Sequence, residues 1–239
     1  MSNQPRAAFA LPDWTPCPRP KSERMRGTLV DLDPLDADHH AQGLFEQFQR
    51  HDALWDFMPV GPFVDQAQFT AWLHGVQAKA DPMFFAICDR ASGHPVGLAS
   101  YLWLDPGNGV IEVGNITLSP TLQRTPAATE AMHLMMAHAF GLGYRRYEWK
   151  CNALNLPSRR AAQRLGFSFE GVFRNHMVIK GRNRDTAWFS ITDTDWPGIL
   201  AAHRVWLDDQ NFDANGVQRV SLADLTRDHL LMVDPALAR

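Results

Sequence analysis

The chain has 239 residues, of which 45% are apolar and 21% charged, a make-up that excludes a disordered or fibrous protein. Its 23 Lys and Arg against 26 Asp and Glu leave a formal net charge of −3, so no overall positive field exists to gather nucleic acid or anionic lipid. Cys17, Cys88 and Cys151 are odd in number and unclustered, and no stretch approaches the ~20 apolar residues of a membrane span, so the expectation is a reducing, cytoplasmic setting without disulfides, nucleic-acid partner or membrane partner.

Residues 1–25 carry five of the sixteen prolines, each removing an amide donor and disfavouring helix before it, which predicts an extended N-terminal arm. Residues 28–32 (TLVDL) read as the first strand, closed by Asp33-Pro34. Apolar residues then fall at helical intervals over 35–48 and again over 64–80, where Phe69, Trp72, Leu73 and Val76 share one face. The stretch between, from Trp55 through Phe57 to Phe63, predicts an aromatic loop. Residues 83–88 and 96–104 flank a polar, Gly-containing turn and predict an antiparallel pair, and 110–118 adds a third strand that stops at Ser119-Pro120. Over 127–140 the period changes to that of a helix, with Ala128, Ala131, Met132, Met135 and Ala139 on one face and Gly141 and Gly143 as the stop.

Residues 144–151 read as a strand, 157–165 as a short helix, and 167–173 and 187–191 as closing strands, followed by an amphipathic helix near 199–207. A strand-helix-strand-helix run after an antiparallel meander predicts an α+β fold with a mixed, mostly antiparallel central sheet and flanking helices. The expected organisation is a Pro-rich extension over 1–25, one domain over 26–200, and a C-terminal helix and polar tail over 201–239.

Chemistry is written at the junction from Ile116 to Ala131, where a strand meets a small-residue loop and a helix start. First-turn amides lack intrahelical partners and the helix dipole adds to them, so such a junction can hold a phosphate without lysine. Alternatively it is an ordinary helix start, with Thr125 as N-cap and Pro126 at N1.

This region resembles the Gcn5-related N-acetyltransferases, and within them the ribosomal-protein N-terminal acetyltransferases. That resemblance rests on Leu118-x-Pro120 before Gln123-x-x-Pro126-x-Ala128, then Thr129-Glu130-Ala131, Asn155-Leu156-Pro157-Ser158, Leu165-Gly166-Phe167 and Glu170-Gly171, in that order over 26–197. It implies an acyl-CoA N-acyltransferase fold with a splayed pair of strands, one carrying Glu112 and the other Tyr147, and acetyl-CoA as acyl donor between them. The pyrophosphate is then expected on amides around Gln123, Arg124, Thr125, Ala127, Ala128 and Thr129, the pantetheine on backbone at Ile116 and Leu118, and Asn155 and Ser158 near the thioester.

The implied reaction moves an acetyl group to a primary amine, of a small molecule or a protein N-terminus, by direct attack. Glu112 among apolar neighbours is the candidate base, with a solvated strand carboxylate as its alternative. Ser158 is the candidate acid, or else a helix cap, because the position where many members carry tyrosine is Ala162. Pro126 stands where glycine is usual and deletes one phosphate donor; with the missing tyrosine, it motivates a second reading as a non-catalytic acyl-CoA binding or sensing module.

Trp55, Phe57, Tyr101 and Glu112 are expected to meet the acceptor, although aromatic walls can equally cap a core. Arg159, Arg160 and Arg164 read as a solvated face or as a contact for the coenzyme's 3′-phosphate, and the basic stretch from Arg174 to Asp185 as a contact for an anionic partner or as a solvated hairpin. Neither His39 with His40 nor His133 with His138 has metal-ligand spacing, so no metal is expected. A second copy of the chain is retained as a candidate partner.

Overall fold

A computed structural model describes residues 11–237. Eight strands form one sheet in the order β1-β2-β3-β4-β5-β6-β8-β7. They are β1 (Met25–Arg26), β2 (Val30–Pro34), β3 (Met83–Asp89), β4 (Pro95–Asp105), β5 (Val110–Leu118), β6 (Arg146–Asn152), β7 (Ser168–Ile179) and β8 (Arg182–Thr192). Only β5 and β6 run parallel, because the helix between them must cross over, so the sheet is mixed and mostly antiparallel as expected. The helices are α1 (Ala37–Phe48), α2 (Gln66–Gln77), α3 (Pro126–Gly141), α4 (Leu156–Arg164), α5 (Trp196–Leu207) and α6 (Leu222–Thr226).

Side chains on one face of the sheet, among them Tyr101, Val113 and Tyr147, join Met132 and Met135 of α3 in the larger core. The other face carries Leu98 and Phe84 into a smaller aromatic core with α1 and α2. Helix starts follow local chemistry: Asp36, Asp65, Thr125 and Asn155 cap α1 to α4, each side chain accepting from an amide two or three residues on.

Two features open the sheet. The β5–β6 ladder ends at Val113 beside Trp149, although β5 runs on to Leu118 and β6 to Asn152, so the strands splay beyond that point. Just there β5 carries one extra residue against β4, between the pairs Ser100–Gly114 and Leu98–Thr117. Asn115 sits in this bulge at φ 50°, held by its Nδ2 donating to Ser100 Oγ at 2.8 Å, while Ser100 Oγ donates to the Gly114 carbonyl at 3.2 Å. A bulge bends its strand and raises the local twist, which steers β5 away from β6.

Several expectations need correction. A hairpin does occupy 174–185, but the strands run further than expected, β7 to Ile179 and β8 from Arg182, with two residues between them and Gly181 at φ 72°. The tail beyond α5 is folded: Asp234 is fully buried and its carboxylate takes both Nε and Nη2 of Arg159 at 2.6 Å. Arg159 is therefore no solvated residue, and Arg164 lies over the Trp206 ring at 4.7 Å. The first ten residues of the expected arm lie outside the described residues; the rest is anchored by Trp14, whose Nε1 donates to Gly107 O, and by Cys17 N donating to Pro106 O.

Candidate active site

Strand pleating decides which side chains meet at the splay. Leu102 faces Glu112 across β4 and β5, Glu112 faces Glu148 across β5 and β6, and Lys150 faces Trp188 across β6 and β8. Directly paired residues share a face, so Glu112, Glu148, Lys150 and Trp188 all look to the α1–α2 side. There a cavity of about 650 Å³ is walled by Glu112, Lys150, Trp149, Ser158, Phe57 and Trp103 among others, and it continues along Gly114 to Ile116 into the splay. The hairpin tip roofs it: Lys180 Nζ donates to the Trp55 carbonyl at 2.9 Å, tying β7–β8 to the aromatic loop.

Glu112 is 5% exposed, and burial lifts its carboxyl to about 7 against the opposing pull of the Lys150 ammonium. Lys150 Nζ lies 2.8 Å from Glu112 Oε2 and 2.8 Å from Glu148 Oε2, and 4.0 Å over the Trp188 ring. The Lys150 ammonium beside Glu112 Oε2 pulls the carboxyl toward its ionised form. Desolvation exceeds attraction here, so the carboxyl is poised near neutrality rather than held ionised. Lys150 escaped the sequence reading; its signal was Arg146-x-Glu148-x-Lys150, charges at every second position of an otherwise apolar strand.

Ser158 is the third residue of α4 and not its cap; Asn155 caps, its Oδ1 accepting from Ser158 N at 3.1 Å. Ser158 Oγ accepts from Trp149 Nε1 at 3.0 Å at the cavity wall. Asn155 also lines the cavity, and its Nδ2 makes no hydrogen bond among the described residues. Burial raises the Cys151 thiol, which suits a structural residue and not a thiolate nucleophile.

At the α3 start, Ser119 N donates to Val96 O and Thr117 pairs with Leu98, so by strand alternation the main-chain groups of Ile116 and Leu118 turn toward the splay. Gln123 N is occupied by Ser119 O and its Nε2 by Leu118 O, and Ala128 N donates to the Thr125 hydroxyl. Pro126 offers no donor. The amides of Arg124, Thr125 and Ala127 make no hydrogen bond within the described residues, and Arg124 adopts φ 61°, so of the six amides expected on the phosphate those of Gln123 and Ala128 are spent within the loop. Thr129 is buried and its hydroxyl accepts from Arg164 Nη1 at 3.1 Å, so its side chain serves the helix packing.

Two expected acceptor residues lie elsewhere. Tyr101 is fully buried on the α3 side, its hydroxyl donating to Met135 O at 2.6 Å, because in the pleat it alternates with Leu102, which faces the cavity. Trp55 is 2% exposed, edge-on to Phe48, Phe63 and Trp72 in the smaller core, and borders a separate cavity of about 440 Å³. Phe57 does line the Glu112 cavity, joined by Met58 and Trp103.

Asp33, His40 and Cys88 bring ligand-type atoms within 4.8 Å of one another, a grouping from three elements that no local spacing reveals. Arg24 already pairs with Asp33, and Asp36 N donates into His40 Nδ1, which leaves the ring's proton on Nε2; this donor set does not suit a cation.

An acetyltransferase (GNAT) domain model matches residues 30–168. The chain is a GNAT acetyltransferase. A GCN5-related N-acetyltransferase from Brucella melitensis is similar at 45% identity and TM-score 0.89, covering 91% of this chain and 100% of its own. N-acetyltransferase p20 of Bacillus licheniformis is 25% identical over 177 residues, 72% of this chain and 96% of p20. An acetyltransferase from Salmonella typhimurium that modifies the N-terminal serine of ribosomal protein L7/L12 shares the fold, at 19% identity and TM-score 0.62 over 71% of this chain and 99% of its own. This GNAT protein is thus an acetyl-CoA-dependent acyltransferase with the acyl-CoA N-acyltransferase fold.

Proposed function

We propose that the chain transfers the acetyl group of acetyl-CoA to a primary amine by direct attack, with Glu112 taking the amine's proton. The observation that carries this is a buried carboxyl poised at about 7, at the mouth of a splayed strand pair and within a cavity open to an acceptor. An α-amine with a pKa of ~7.7–8.0 is close enough to Glu112 for proton transfer in either direction, which is what a general base requires. The splay offers main-chain groups at Ile116 and Leu118 to the donor's arm, and Arg124, Thr125 and Ala127 offer three amides to its diphosphate. In this reading the Leu118 amide donates to the tetrahedral oxyanion. Ser158, whose oxygen is engaged by Trp149, keeps its hydroxyl proton for the leaving thiolate.

The test is initial-rate kinetics of thiol release over a panel of amines. Direct attack predicts intersecting lines when both substrates are varied, and parallel lines would indicate an acyl-enzyme instead. Release must depend on amine and collapse in Glu112→Gln. Donor binding with no amine-dependent release would favour the non-catalytic module.

A further inference from the structure

We propose that the amine accepted by this protein also carries a carboxylate, and that Arg184 is the residue that recognises it. This rests on the acceptor site lying beside Glu112. Arg184 stands two residues before Thr186, hence on the same face of β8 as Thr186 and Trp188, and it lines the same cavity as Glu112 and Lys150.

The cavity wall carries a paired cation, Lys150, and one with no carboxylate within 4.0 Å among the described residues, Arg184. Glu112 is its one carboxylate, and Lys150 already answers both Glu112 and Glu148. Arg184 is only partly exposed, yet among the described residues it has no carboxylate within 4.0 Å and no side-chain hydrogen bond, and its Nε is out of solvent with no acceptor. Trp188 Nε1, on the same wall, is likewise a buried donor with nothing to donate to. Nearby acids are committed elsewhere: Asp185 to Asn175 N and Asn183 Nδ2, Glu170 to Arg146 and Ser190. Of the other arginines with buried or half-buried heads, Arg146 and Arg159 are paired with carboxylates, and Arg164 donates to the Thr129 hydroxyl and lies over the Trp206 ring.

A guanidinium Nε shut from water without an acceptor is costly, and the planar fork of the group matches a carboxylate with two parallel hydrogen bonds. Phe57, Trp103 and Trp149 around it supply apolar walls for the body of the acceptor. Glu112 at one end and Arg184 on the wall therefore divide the acceptor between a proton acceptor for its amine and a donor fork for its anion.

The experiment uses matched pairs with and without the carboxylate: phenylalanine against phenethylamine, and tetrapeptides with Asp against Asn at the second position. The first pair reports a free amino acid, the second an acidic peptide. Binding is followed by tryptophan fluorescence, and turnover by thiol release. At least one carboxylate-bearing member should be preferred by roughly tenfold or more, as expected of a charged hydrogen-bonded contact, with the advantage in KM rather than kcat. Arg184→Gln should erase the preference, lowering kcat/KM for the carboxylate-bearing member by roughly tenfold more than for its carboxylate-free match, while Arg184→Lys should keep part of it. Melting of each variant controls for folding, and no side-chain bond of Arg184 is lost. Equal use of both members of both pairs by the wild type, or equal losses for both members in Arg184→Gln, would overturn the assignment while leaving Glu112-dependent transfer intact. Absence of release from every amine would count against the transfer reading, and the fluorescence titration would still decide Arg184.

Discussion

Replacing Glu112 with glutamine removes a proton acceptor while keeping shape, and its consequences can be worked out in two independent measurements. Loss of a general base lowers rate by about 10²–10⁴, or about 3–5 kcal/mol of barrier. With the carboxyl at about 7, roughly half the free enzyme is ionised at pH 7 and about a tenth at pH 6, so wild-type kcat/KM should fall along an acid limb centred near 7. The variant should show no such limb. Lys150→Met should move the limb upward, since the ammonium holds the carboxyl down. Stability should change in the opposite sense. A folded carboxyl at about 7 against an ordinary 4.5 binds its proton more tightly when folded, so the ionised group costs about 3 kcal/mol above pH 7, a cost that fades as pH falls to 4.5. Glu112→Gln should therefore melt later than wild type at pH 8, by a margin that shrinks toward pH 4.5. Lys150 keeps Glu148 as its partner in that variant. Wild-type turnover in Glu112→Gln, or a flat profile between pH 6 and 8, would refute the assignment of the base.

Three other perturbations follow from the geometry. Thr125→Ala removes the cap of α3 and should cost about 1 kcal/mol in denaturant unfolding, yet it frees the Ala128 amide, so coenzyme affinity in calorimetry should not fall; a tenfold loss would mean the hydroxyl itself holds phosphate. Asp234→Ala strands the buried Arg159 guanidinium and should cost about 3–5 kcal/mol, most of it recovered when Arg159→Met is added; a loss below about 1 kcal/mol would contradict the clasp. Burial lowers His203 to about 4, so charging it is resisted in the folded state, and stability from this residue is complete above 6.5 and lost as pH falls toward 4. His203→Gln should flatten that part of a melting-temperature profile, and an unchanged slope would assign the effect to other groups.

Local chemistry made much of the fold readable. The period of α3 and the proline that stops β5 each act within a few residues, and both elements stand where their patterns placed them; α4 also lies where expected, but Asn155 caps it and Ser158 does not. Parity along β4 was available too, since Tyr101 alternates with Ser100 and Leu102; composition alone drew it toward the acceptor, and the pleat puts it under α3. The Gly114-Asn115 pair in mid-strand was a legible sign of a bulge, because asparagine tolerates φ 50° better than most residues. Other parts depend on distance in sequence. Arg159 meets Asp234 across 75 residues, and the isolation of Arg184 is visible only once every neighbouring acid is seen to be spoken for. The phosphate loop fell between these cases, since capping by Thr125 was foreseen but its claim on the Ala128 amide was not counted.

Parting two strands in the middle of a sheet leaves rungs missing from a ladder, and a molecule that lies there is gripped by peptide groups whatever side chains surround it. Capture of the donor should accordingly tolerate varied residues at positions 116 and 118, whereas the kink maintained by Ser100 and Asn115 has no such latitude. Closing that kink would mend the ladder and shut the protein's own doorway.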